Sequence, residues 1–104
     1  MTKLTVDSGA CGFFCAVTAE KGPDRKMFVR LESQCEMLKK LGEEIATLDT
    51  MAAAFTDFQN NPVYRAAAKH LKHAACPVPG GIIKAVEVEA GYCLARDVSI
   101  KFEK

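Results

Sequence analysis

The chain alternates apolar and polar residues at its start and turns to a helical period at Ser33. In residues 2–7 (TKLTVD), Leu4 and Val6 alternate with Lys3, Thr5 and Asp7, the pattern of a strand with one covered face. Residues 8–10 (SGA) read as a turn, and 11–20 (CGFFCAVTAE) as a second strand apolar enough to be central. Residues 21–26 (KGPDRK) read as a hairpin loop and 27–33 (MFVRLES) as a third strand. The first third is therefore expected to be a small antiparallel meander.

From Ser33 the spacing changes. The segment SQCE fits a capping box, with Ser33 accepting from an amide of the first turn and Glu36 reaching back to the amide of Ser33. Met37, Leu38, Leu41, Ile45 and Leu48 then recur at helical intervals, with Glu36, Lys40 and Glu44 on the other side. Gly42 marks either close packing or an early end. Residues 49–58 (DTMAAAFTDF) predict a short helix capped by Asp49 or Thr50 and stopped before Pro62. Asn61 and Pro62 are the N-cap and first residue of a helix carrying Val63, Ala67, His70 or Leu71, and Ala74 inward.

Pro77 forbids continuation of that helix. A last helix from Pro79 or Gly80 turns Ile82, Ile83, Val86 and Ala90 to the core, and 96–104 (RDVSIKFEK) closes the chain as a strand with Val98, Ile100 and Phe102 on one face. The expected fold is α+β in one domain, residues 1–104. Its small antiparallel sheet has three N-terminal strands plus a C-terminal strand, with three or four helices packed on one face.

Composition narrows the function classes. Fourteen basic and thirteen acidic residues leave a net charge of +1, so neither nucleic acid nor an anionic membrane is the expected partner. No apolar run is long enough for a membrane span and the first residues lack a secretory signal, so the expected location is cytoplasmic. In that compartment five cysteines argue against a disulfide framework and for metal, cluster or thiol chemistry.

Three of the cysteines fall at element boundaries: Cys11 after the Ser8–Gly9 turn, Cys35 in the first turn of the Ser33 helix, and Cys76 ahead of the last helix. A helix N-terminus favours a thiolate at Cys35. Cys11 and Cys15 would share one face of a regular strand, yet their spacing spans about 13 Å and suits one metal poorly, so Cys15 reads as core. Cys93, at the end of the last helix, reads as filler. His70 and His73 lie three apart on one helix and, with Cys76, form H-x₂-H-x₂-C, which is weaker than paired C-x₂-C zinc patterns. Each histidine also has an ordinary helix-end role.

The segments SGACGF, ESQCE, HAACPVPGGIIKAVEVEAG and DVSIKF together resemble a family of small, uncharacterised prokaryotic proteins, a domain of unknown function, over nearly the whole chain. That resemblance implies a motif set and no reaction. The motifs fall on Ser8, Gly9, Cys11, Gly12, Phe13, Cys35, Glu36, His73, Cys76, Pro77, Pro79 and Lys84, and leave Cys15 and Cys93 outside. The family's usual Leu-Pro near the end is Ala95-Arg96 here.

Three functions follow as expectations. The first is a metal or iron–sulfur site from Cys11, Cys35 and Cys76, with His73 or an exogenous ligand fourth, holding zinc, copper(I) or a cluster. A protein partner would then exchange metal or sulfur with it. The second is sulfur or acyl transfer with Cys35 or Cys76 as nucleophile, His73 as base and amides near Gly80-Gly81 as anion donors. The third is a non-catalytic binding or scaffold module with buried cysteines, dimeric through its sheet edge.

Overall fold

A computed structural model describes residues 1–103. Four antiparallel strands, β1 (Thr2–Asp7), β2 (Phe14–Lys21), β3 (Lys26–Ser33) and β4 (Thr47–Asp49), form one sheet in the order β1-β2-β3-β4. Four helices complete the α+β fold: α1 (Glu36–Glu44), α2 (Thr50–Phe55), α3 (Pro62–His70) and α4 (Val78–Glu89).

Strand register gives the sheet one dry face. Leu4 pairs with Val17, Val6 with Cys15, Val17 with Leu31, Ala19 with Val29, and Met27 with Leu48. These apolar side chains all point to one side, because side chains alternate along every strand. The helices cover that side, where Leu38, Leu41, Ile45, Val63, Ala66, Ile82 and Val86 complete the core. Thr5, Ala16, Thr18, Arg30 and Phe28 occupy the opposite face.

The helix ends follow side-chain chemistry. Asp49 caps α2 by accepting from the Ala52 amide at 2.9 Å, and Asn61 caps α3 by accepting from the Val63 amide at 2.9 Å. At the end of α4, Gly91 takes φ 85°. The Tyr92 amide bonds the Glu87 carbonyl and the Gly91 amide the Val88 carbonyl, the closed helix end that a left-handed glycine permits. Glu89 then ties α4 to the sheet: it accepts from Thr2 Oγ1 at 2.8 Å and from the Lys21 amide at 3.0 Å, and pairs with the Met1 ammonium at 3.3 Å.

Four expectations are corrected. The fourth strand is Thr47–Asp49 and not the chain end: Val98, Ile100 and Phe102 are exposed and belong to no element. The helical run past Glu44 stops because pairing of Leu48 with Met27 takes that residue into the sheet. The capping box does not form, since Ser33 is the last residue of β3 and Cys35 is the N-cap of α1. Finally, α4 stops at Glu89, which leaves Cys93 exposed beyond it. Gly42 does mark close packing, since a Cβ there would lie 3.3 Å from Leu31 Cβ.

Candidate functional site

Cys11 ends a single 3₁₀ turn, Gly9–Cys11, inserted between β1 and β2. Its regular-strand pairing with Cys15 is thereby corrected. Gly9 opens the turn and Gly12 caps its end, at φ 72° and 78°, values that L side chains rarely adopt. The Asp7 carboxylate accepts from the Gly9 amide at 2.9 Å, and the Ser8 amide donates to the Phe13 carbonyl at 3.1 Å. The thiol is thus presented on an exposed but tightly tied loop.

Ser33 links that region to α1. Its hydroxyl donates to the Phe14 carbonyl at 2.8 Å and accepts from the Cys35 amide at 3.2 Å. Cys35 is held with extended backbone at the helix mouth and is buried. Cys76 lies between α3 and α4, in a turn closed by its own amide on the His73 carbonyl at 3.2 Å. Pro77 fixes the exit into α4.

Cys11, Cys35, Cys76 and His73, far apart in sequence, line one cavity of about 270 Å³ with Ser8 at its edge. Phe13, Met37, Leu38 and Leu71 supply much of the remaining wall, and among the described residues no Lys, Arg, Asp or Glu side chain takes part. His70 stands elsewhere: its Nε2 lies 2.7 Å from Glu44 Oε1, and Lys69 Nζ donates to the other oxygen at 2.9 Å, so the pair clamps α3 to α1. Lys69 and then His70, as donors, hold the Glu44 carboxyl below its ordinary range.

Burial pushes the Cys76 thiol above its ordinary pKa, opposed by the Val78 amide and reinforced by the nearby Cys11 and Cys35 sulfurs. Cys15, completely buried, is pushed up to about 11, by burial first and by Cys76 and Cys35 as well. The core reading of Cys15 holds, but its place directly behind the thiol-lined cavity was missed. The signal for it was slight: pairing Val6 with Cys15 and Cys15 with Ser33 sets it between the two motif segments.

Among the described residues, no three His, Cys, Asp or Glu side chains stand close enough to hold one metal ion between them. The thiols share a cavity without closing on a point.

A family model matches residues 2–102. The chain belongs to DUF6951, a family of unknown function. No curated protein and no solved structure matches this DUF6951 member. None of its helices, among the described residues, is long and apolar enough to cross a membrane.

Proposed function

We propose that this DUF6951 domain binds a thiophilic metal centre in the Cys11–Cys35–Cys76 cavity, an iron–sulfur cluster in the first place. The observation that carries the reading is the convergence of three boundary cysteines and His73 on one apolar cavity of about 270 Å³. A single ion with bonds near 2.3 Å requires its sulfurs almost in contact, about 4 Å apart. A cluster brings its own metal atoms outward and accepts thiolates spread around a wider space. The cavity is therefore better matched to a cluster than to zinc.

Charge supports the same reading. Three thiols face one apolar cavity, and among the described residues no Lys or Arg lines it to offset the negative charge they would carry as metal ligands. A bound cationic centre supplies that offset and takes the protons off the thiols as it binds. Cys11 and His73, both exposed on the rim, leave a side open to a partner that exchanges metal or sulfur. A nucleophilic Cys76 is less well supported, because burial raises its pKa and its thiolate is then scarce near neutral pH.

Anaerobic reconstitution with iron and sulfide tests the proposal. The expected result is a visible sulfur-to-iron absorption band and bound iron that Cys35→Ser and Cys76→Ser abolish, whereas Cys93→Ser leaves both unchanged. A wild-type chain that takes up no iron, or triple loss of Cys11, Cys35 and Cys76 without loss of iron, overturns it.

A further inference from the structure

The thiols that line the cavity differ in reach. Cys11 is exposed, Cys76 is half-buried and Cys35 is buried, so a reagent in solution meets Cys11 first. Behind it, the Cys76 sulfur feels the Cys11 sulfur more strongly than that of Cys35, as it does the nearer of two equal charges. Backbone attachment ranks the pairs in the same order. Cys11 ends the turn between β1 and β2, and Cys76 sits in the segment connecting α3 to α4. Cys35 is instead fixed where β3 meets α1: its amide donates to Ser33 Oγ at 3.2 Å and its carbonyl accepts from the Lys39 amide at 3.1 Å. Cys15 is held in β2, outside the cavity lining.

We propose that Cys11 and Cys76 form a site of thiol–disulfide exchange with small-molecule disulfides, which ends in a bond between the two protein sulfurs. The Cys11 thiolate attacks one sulfur of the incoming disulfide, forms a mixed disulfide and releases one small thiol. The Cys76 thiolate then attacks the Cys11 sulfur, and the second small thiol leaves. Two protein thiols are oxidised to one disulfide, while one external disulfide is reduced to two thiols, which take up both protons. Burial keeps the Cys76 thiolate scarce, but the second step is intramolecular, and a partner held beside it offsets that scarcity.

Cys93 supplies the contrast. It is exposed too, but it follows α4 where Cys76 precedes it, and the helix has 12 residues. At about 1.5 Å per residue those ends stand about 18 Å apart, so Cys76 cannot resolve a mixed disulfide on Cys93. A small disulfide therefore leaves its half on Cys93 and not on Cys11. The Cys11–Cys76 bond uses two sulfurs of the proposed metal centre, so it and metal loading exclude each other. Its formation needs no metal and does not rest on that reading.

Metal-free chain incubated with glutathione disulfide at mildly alkaline pH tests this, read by intact mass and by peptide mapping without reduction. The wild type is expected to gain one glutathione, on Cys93, and to lose two hydrogens in a Cys11–Cys76 link. Cys93→Ser should show the link alone, and Cys76→Ser should keep a glutathione on Cys11. Cys11→Ser, at an exposed position, should lose the link and leave Cys76 unmodified over the same time. A glutathione retained on Cys11 of the wild type overturns the proposal. So does a link from Cys76 to Cys35 or Cys15, or a wild-type chain in which Cys11 and Cys76 both stay free.

Discussion

Gly81 on α4 lies so close to Val6 on β1 that a methyl group at Gly81 would come within 2.7 Å of Val6 Cγ2. This contact seats the first turns of α4, and so Cys76, against the strand that leads to Cys11. Gly81→Ala is expected to destabilise the fold by about 1–3 kcal/mol through overpacking, read as a lower urea midpoint. Because the helix must shift, iron retention after reconstitution should fall as well.

Asn61 is the second such joint. It is 3% exposed, donates to the carbonyls of Ala53 at 2.9 Å and Thr56 at 3.1 Å, and caps α3. Asn61→Ala leaves two buried carbonyls and a helix amide without partners. A loss of about 2–3 kcal/mol is expected in chemical denaturation, and Asn61→Asp, which keeps the cap but loses both donors, should recover only part of it.

Alkaline pH weakens the protein through Cys15. Its folded pKa lies at about 11, above the ordinary 9.0, so the folded state holds a proton that the unfolded chain releases. The associated stability is fully present below pH 9 and is lost as pH rises through 11, by up to about 2–3 kcal/mol. Cys15→Ala should flatten the stability profile over that window while costing some stability at neutral pH through a small cavity.

The acid side has its own group. Glu44, held low by Lys69 and His70, contributes stability above its ordinary pKa of 4.5 that is lost as pH falls through its depressed folded value. Glu44→Gln should therefore reduce the steepness of acid unfolding, followed by far-ultraviolet circular dichroism, and leave reconstituted iron unchanged.

Much of the architecture was legible in local pattern. Alternation gave β1 to β3, and Asp49, Asn61 and Pro77 marked helix boundaries, because caps and proline act on the backbone within a few residues. What failed did so where a distant partner decided the outcome. Leu48 satisfies a helical period and a strand equally, and pairing with Met27 settled it. Ser33 has the chemistry of a cap, but the Phe14 carbonyl drew its hydroxyl to the strand junction. Residues 97–102 have strand alternation, yet alternation alone supplies no ladder partner.

The candidate site divides in the same way. Placing Cys11, Cys35 and Cys76 at element ends was within reach of sequence, whereas His73, expected on one helix with His70, lies beyond that helix, which ends at His70. Sequence by itself determined the residue types, their local caps and turns, and the one-sided apolar strands, since each depends on neighbours a few residues away. Only tertiary structure decided that those thiols share a cavity, that His70 serves Glu44 and that Cys15 lies behind the site. These outcomes rest on contacts between segments tens of residues apart, which no local preference encodes.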